Sequence, residues 1–301
     1  MDGAYTFTPI HGKLPERYMP EGTALVLEGG GTRGFYSAGV FDAFVEAGIM
    51  FPYIIGVSAG AANVLSYISG QLGRTRQVVE HYVGDHRYVS IRNLLLHRSM
   101  FGFGFIFGEV LRKHVYIDMD TFRKCDTRLL TGALDCETGK TVWFEKEDID
   151  EDFKASIASC SVPFMTRIAE FRGKKLLDGG VLDSIPIERS VADGNKFHVI
   201  VLTRNAGYVK QPSSHLGFVR AFYRKYPKVA EAMRERHIAY NRQLALCEQL
   251  AREGKAIIIR PQQPVSDSRT ERDIPKLLAL YDEGTAEGRV GLLAARAALG
   301  V

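Results

Sequence analysis

Gly56-Val57-Ser58-Ala59-Gly60 reads Gly-x-Ser-x-Gly, directly after the apolar run Phe51-Pro52-Tyr53-Ile54-Ile55 and before the small and apolar stretch Ala61 to Leu72. A strand, a sharp turn on Ser and then a helix is the setting of a nucleophile elbow. Gly56 and Gly60 fit a strained turn with a close-packed helix behind it, where a Cβ has no room. The Ser58 hydroxyl then stands at a helix N-terminus, whose partial positive charge favours an anion developing beside it. In a chain with 30 glycines the pattern can arise by chance, so its surroundings have to support it.

Those surroundings alternate. Thr23 to Leu27 reads as a short apolar strand, Glu28 to Gly34 as a glycine loop, Phe35 to Ala47 as an amphipathic helix ended by Gly48, and Phe51 to Ile55 as a second strand. This order implies a parallel sheet flanked by helices. Arg74 to His114 is less regular. Thr127 to Leu134 and Lys140 to Phe144 read as strands joined by a turn at Glu137-Thr138-Gly139. Asp152 to Ser161 reads as a helix stopped by Pro163, followed by strands at Lys174 to Leu177 and Phe197 to Thr203. Beyond these lie a charged helix from Phe218 to Glu253 interrupted at Pro227, a strand from Ala256 to Arg260, and a helix from Pro275 to Ala298. The expected architecture is an α/β fold, a three-layer α/β/α sandwich with a mainly parallel sheet. It comprises a lead-in over 1–21, a catalytic domain over 22–207 and a mostly helical extension over 208–301 packed on that domain.

The chain is 46% hydrophobic and 25% charged, ordinary for a soluble globular protein. A net charge of +4 excludes a strongly basic nucleic-acid binder but suits an anionic membrane surface. Residues 1–21 show no apolar signal region, and no apolar run approaches the roughly 20 residues of a membrane span. Cys125, Cys136, Cys160 and Cys247 are scattered and read as reduced thiols. A cytoplasmic protein is expected, with any membrane contact peripheral at the inner face; the oligomeric state is not legible.

Glu28-Gly29-Gly30-Gly31-Thr32-Arg33-Gly34 admits several readings. It matches Gly-x-Gly-x-x-Gly at Gly29, Gly31 and Gly34, a dinucleotide-binding pattern. That reading needs a carboxylate ending the second strand, and the strand ends in Gly56-Val57-Ser58. A phosphate-binding loop would need a Lys-Ser/Thr pair, which is missing. The second reading is an oxyanion hole, because consecutive glycines leave backbone N–H groups free to converge on one point, and Arg33 adds a cation. The third is a plain strand-to-helix turn with Arg33 in solvent.

A Ser hydroxyl needs a base. His81, His86, His97, His114, His198, His215 and His237 follow Ser58, and none sits in a distinctive loop. His198 lies within an apolar strand and reads as a core residue, and the elbow follows only one clear strand, whereas the α/β-hydrolase fold that carries the usual Ser, acid, His triad places several strands before it. Asp178-Gly179-Gly180 is the better candidate: it caps a short strand, and Gly179 and Gly180 allow a close approach to the elbow. Burial would raise the Asp178 pKa toward the working range. As a plain turn, Asp-Gly would be unremarkable.

Gly29-Gly30-Gly31-Thr32-Arg33-Gly34, Gly56-Val57-Ser58-Ala59-Gly60 and Asp178-Gly179-Gly180 together resemble the patatin-like phospholipases. Ala155-Ser156-Ile157-Ala158-Ser159-Cys160-Ser161-Val162-Pro163 is similar to that family's small-residue helix ending in Pro, and Asp178 to Pro186 to its Asp-Gly-Gly loop. The resemblance runs from about Ala24 to Thr203; after Gly207 the match is looser, to bacterial members with a helical C-terminal extension. It implies a serine acyl hydrolase acting on fatty-acyl esters of (lyso)phospholipids, without metal or cofactor. Ser58 would attack the ester and form an acyl-enzyme, Asp178 would take its proton, and the Gly29 to Gly34 amides would hold the oxyanion. Asp183 would either tune Asp178 or cap a turn. The rival readings are an esterase or thioesterase on smaller acyl groups, a nucleotide-binding protein and a non-catalytic membrane-binding module.

Met100 to Leu111 alternates aromatic and branched side chains with glycines, flanked by Arg87, Arg92, Arg98, Arg112 and Lys113. It reads either as a mobile lid touching lipid or as a buried core segment with charged ends. Arg220, Arg224, Lys225, Lys228, Arg234 and Arg236 make 218–253 either a membrane- or partner-facing helix or a solvated helix face.

Overall fold

The computed structural model describes residues 10–214, 216–266 and 268–301. The start of the lead-in and His215 lie outside the described residues. In chain order the elements are β1 (Arg17–Tyr18), β2 (Thr23–Leu27), α1 (Gly34–Glu46), β3 (Ile49–Met50), β4 (Tyr53–Val57), α2 (Ala59–Ile68), α3 (Arg74–His81) and α4 (Ile91–His97). A wide-turned π-helix, Gly104–His114, follows. Next come α5 (Met119–Lys124), β5 (Arg128–Asp135), β6 (Thr141–Glu145), α6 (Lys154–Ser159), β7 (Ala169–Phe171), β8 (Lys174–Asp178) and α7 (Ile187–Ala192). The chain closes with β9 (Phe197–Val201), α8 (Leu216–Phe222), α9 (Pro227–Arg252), β10 (Ala256–Ile259) and α10 (Ile274–Leu299).

An eight-stranded sheet runs β10-β9-β2-β4-β5-β8-β7, with β6 also on β5. The β10 to β5 half is parallel; β6, β7 and β8 join antiparallel. Period-two alternation sorts the side chains. In β2, Leu25 and Leu27 face a core shared with α1, α2 and α10, while Ala24 and Val26 face Ile187 of α7 and Tyr240 and Leu250 of α9. Both faces are covered, so the central parallel strands are buried throughout and read as continuous apolar runs. The molecule is a three-layer α/β/α sandwich with a mainly parallel sheet.

The feature that builds the site is the shared edge of β5. Strand β6 occupies one edge of β5, pairing Leu130 to Leu134. On the other edge, parallel β4 ends with Val57 opposite Gly132, and antiparallel β8 ends with Asp178 opposite Ala133. The two strands therefore run at each other head-on. The next residue of β4 has no place in the sheet and must turn out of it.

Arg74 to His114, irregular in sequence, contains α3, α4 and the π-helix. Among the described residues no helix is long and apolar enough to cross a membrane.

Candidate active site

Ser58 is the residue forced out of the sheet. Its backbone sits at φ 54°, ψ −129°, a strained conformation for a side-chain-bearing residue. Its hydroxyl donates to Asp178 Oδ2 at 2.6 Å. The Ser58 N–H donates to Ser159 Oγ at 2.8 Å, and that hydroxyl donates to the Gly132 carbonyl at 2.7 Å. The end of α6 thus splices the gap between the strand ends, and the Asp178 N–H donates to Ser161 O at 2.8 Å. Asp178 Oδ1 accepts the Gly180 N–H at 2.7 Å. A Cβ on Gly179 would lie 2.3 Å from the Gly132 carbonyl oxygen, so only glycine lets the ends meet. Burial raises the Asp178 pKa above the ordinary carboxylate value, against the Ser58 hydrogen bond and the Arg236 charge, which lower it.

The expected strain at the elbow falls on Ser58 itself. Gly56 and Gly60 serve packing, both close against Leu27. In the glycine loop, Gly29 abuts Ser58, Gly30 abuts Thr203 and Gly34 abuts Ala59. Gly31, at φ +60°, lies under the Arg269 carbonyl, which accepts the Thr32 N–H at 3.1 Å. The Gly29 N–H donates to Ser184 O and the Arg33 N–H to Gly30 O. Among the described residues, the N–H groups of Gly30 and Gly31 donate to no acceptor.

Two cavities meet at Ser58. One is apolar, walled by Phe35, Phe101, Phe103, Ile106 and Phe107. The other is polar and lined by Asp178, Arg33, Arg204, Lys210, Arg236 and Arg269. Gly31, Ser58 and Val162 line both. Among the described residues no histidine lines either cavity, and no cluster of His, Cys, Asp or Glu is placed to hold a metal ion.

The model of the patatin-like phospholipase family matches residues 25–190, more than half of the chain. The chain belongs to the patatin-like phospholipase family. A second model, of a domain of unknown function (DUF6363), matches residues 226–299. Over 200 residues the chain is 27% identical to the uncharacterized protein YjjU of Escherichia coli, covering 62% of this chain and 53% of that protein. It is 25% identical over 288 residues to the lysophospholipase NTE1 of Scheffersomyces stipitis, covering 88% of this chain and 17% of NTE1. The chain spans about half the length of YjjU and a small part of NTE1. Among solved structures, VipD from Legionella pneumophila superposes with a TM-score of 0.48 at 13% identity, covering 97% of this chain and 72% of VipD.

Several expectations about this patatin-like chain sharpen. His198 is a buried strand residue whose pKa burial pushes down to about 4. Asp183 is engaged by Thr141 and by Gln243 Nε2, and it lies outside the cavity lining. Phe105, Ile106, Phe107, Val110 and Leu111 pack in the core, and Phe101 stacks on Phe103 at the groove wall. Of the basic run, Arg220, Arg224, Lys225, Lys228 and Arg234 are exposed, but Arg236 turns inward and its Nε donates to the Gly180 carbonyl at 2.9 Å. Sequence reasoning passed over Ser159, Arg204, Lys210, Tyr240 and Arg269. The signal available was on α9: Arg236, Tyr240 and Gln243 lie on one stripe at helical spacing, and each bonds a loop of the catalytic region.

Proposed function

We propose that the protein is a lipid acyl hydrolase that cleaves fatty-acyl esters of (lyso)phospholipids through Ser58 and Asp178. The observation that carries this reading is the 2.6 Å hydrogen bond from Ser58 Oγ to Asp178 Oδ2 at a strained elbow. Oγ attacks the ester carbonyl carbon while Asp178 accepts its proton. The oxyanion accepts hydrogen bonds from the Gly30 and Gly31 N–H groups, which have no other acceptor among the described residues. Asp178 passes the proton to the departing alkoxide, and the alcohol leaves an acyl ester on Ser58. A water then yields its proton to Asp178 and attacks the acyl carbon. The second tetrahedral intermediate collapses to the fatty acid, and the proton returns to Ser58 Oγ. Burial makes Asp178 a better base than an exposed carboxylate. The acyl chain lies in the groove walled by Phe35, Phe101, Phe103 and Phe107. Family membership and the lysophospholipase name of NTE1 support the lipid class.

Contact with an anionic bilayer belongs to the same reading. Ile91, Leu95 and Leu96 of α4 and Phe218 and Phe222 of α8 are each 57–78% exposed. Leu94 and Arg98, at the end of α4, and Phe222, Arg224 and Lys225, in and after α8, line one concavity with Arg167. Bare apolar side chains among cations fit a lipid surface. Phe164, packed on Phe218 and Phe222, lies two residues from Val162 of the groove.

The test is fatty-acid release from mixed phospholipid vesicles by wild type, Ser58→Ala and Asp178→Asn, each confirmed folded by circular dichroism. Wild-type release with at least a roughly 10³-fold loss in both variants is expected. Release that survives Asp178→Asn would overturn the assigned base.

A further inference from the structure

The hydrolytic steps above use one carboxylate, one hydroxyl and two amides. They leave unexplained the cations on the polar side of Ser58. Arg33 and Arg204 come from the family-model region and its margin, while Lys210, Arg236 and Arg269 come from the chain beyond it: a loop after β9, helix α9 and the loop before α10. Besides Asp178, the carboxylate lining this cavity among the described residues is Glu28. Its oxygens are taken by the Thr203 N–H at 2.6 Å and the Tyr240 hydroxyl at 3.0 Å. Among the described residues, Lys210, Arg236 and Arg269 form no ion pair.

The cluster is built rather than incidental. Asn241 clamps the Lys210 backbone from both sides, accepting its N–H at 2.9 Å and donating to its carbonyl at 3.0 Å. The ammonium then lies 4.6 Å from the centroid of the Tyr240 ring. Arg236 is anchored through Nε on Gly180, next to Asp178. The Arg269 backbone caps the glycine loop through Thr32. The cations feel one another. Burial and then the charges of Arg236 and Arg269 hold the Lys210 pKa down to about 7, and burial and then Arg269 hold that of Arg236 down to about 9. Like charges gathered in a half-buried cavity are relieved by an anion, and guanidinium forks match a phosphate.

We propose that Lys210, Arg236 and Arg269 bind the phosphate of the substrate, so that the C-terminal segment selects acyl glycerophosphates whose head is anionic and carries no ammonium. This rests on the hydrolase reading. An acyl chain in the apolar groove with its ester at Ser58 leaves the glycerophosphate to enter the cationic cavity, since both share Gly31, Ser58 and Val162. A choline or ethanolamine head would bring its ammonium into the same cluster.

The experiment compares lysophosphatidic acid with lysophosphatidylcholine of the same acyl chain. Both are monodisperse at low concentration, which removes vesicle binding from the comparison. In wild type kcat/KM is at least about tenfold higher for lysophosphatidic acid. Lys210→Met and Arg269→Met lower that preference about 10–100-fold, mostly through KM, as the loss of a charge-assisted hydrogen bond requires. Equal turnover of the two lipids in wild type, or a preference that survives both variants, overturns the proposal.

If wild type cleaves neither lipid, calorimetric binding to Ser58→Ala protein decides separately. Tight binding of lysophosphatidic acid that Lys210→Met weakens keeps the subsite and removes the hydrolase reading. No such binding removes both. Inorganic phosphate distinguishes a head-group site from a site for free anions: weak competition with lysophosphatidic acid supports the former, and binding without competition overturns it.

Discussion

Ser58 is kept at positive φ at a cost of about 1–3 kcal/mol, so the surroundings must over-determine it. Ser159 does much of this, accepting the Ser58 N–H and donating to the Gly132 carbonyl, all three residues being buried. Ser159→Ala leaves both backbone groups without that partner. The expected result is a folded protein about 1–3 kcal/mol less stable, with kcat down about 10–100-fold and slower labelling of Ser58 by a fluorophosphonate. Unchanged labelling would mean that the elbow is held by its other contacts. Nothing in the local pattern of 155–163 marks Ser159, because its role depends on two strands distant in sequence.

At the scale of elements, helices α1 and α10 pack backbone against backbone. A Cβ on Gly284 would lie 2.1 Å from the Tyr36 carbonyl oxygen, so the backbones touch. Beside that seam the Tyr281 hydroxyl donates to Asp42 of α1, which also accepts the Gly73 N–H at 3.0 Å. Burial raises the Asp42 carboxyl from 3.8 to about 6, against those hydrogen bonds. The folded state therefore binds the extra proton, and Asp42 makes stability fall as pH rises from about 4 to about 6, with no further change above. Tyr281→Phe removes a donor to the ionised form and should cost about 1–3 kcal/mol at pH 7.5 and less at pH 5. Asp42→Asn should flatten the slope between those pH values. Urea denaturation of the three proteins at both pH values checks this; an equal Tyr281→Phe cost at each would show that Asp42 does not change protonation between them.

At the scale of the whole molecule, the proposed chemistry and the proposed bilayer contact fall on different walls. The segment first read as lid or core, Met100 to Leu111, packs as groove wall and core, while the bare apolar side chains lie on α4 and α8. Leu95→Asp with Phe222→Asp should abolish co-sedimentation with anionic vesicles. It should leave kcat on a short-chain, water-soluble ester within about twofold, since exposed side chains away from the site rarely affect stability or chemistry. Undiminished vesicle binding would send the membrane contact elsewhere. The inward stripe of α9 ties the C-terminal segment to the catalytic loops, whereas from sequence its charged run reads as readily as a solvated face.

The strand, glycine loop and helix, the elbow around Ser58 and the Asp178-Gly179-Gly180 cap were all legible in the chain. Each is a local matter of a few residues, where backbone sterics and strand or helix period leave few choices. Their order was enough to place the parallel sheet and the family. Tertiary structure decided the rest. The meeting of Val57 and Asp178 depends on how β4 and β8 divide one edge of β5, and the Ser159 splice depends on that meeting. The cations at 204, 210, 236 and 269 share no period and no motif. They converge because separate loops and α9 close over the glycine loop, and contacts between segments so distant along the chain leave no local pattern to read.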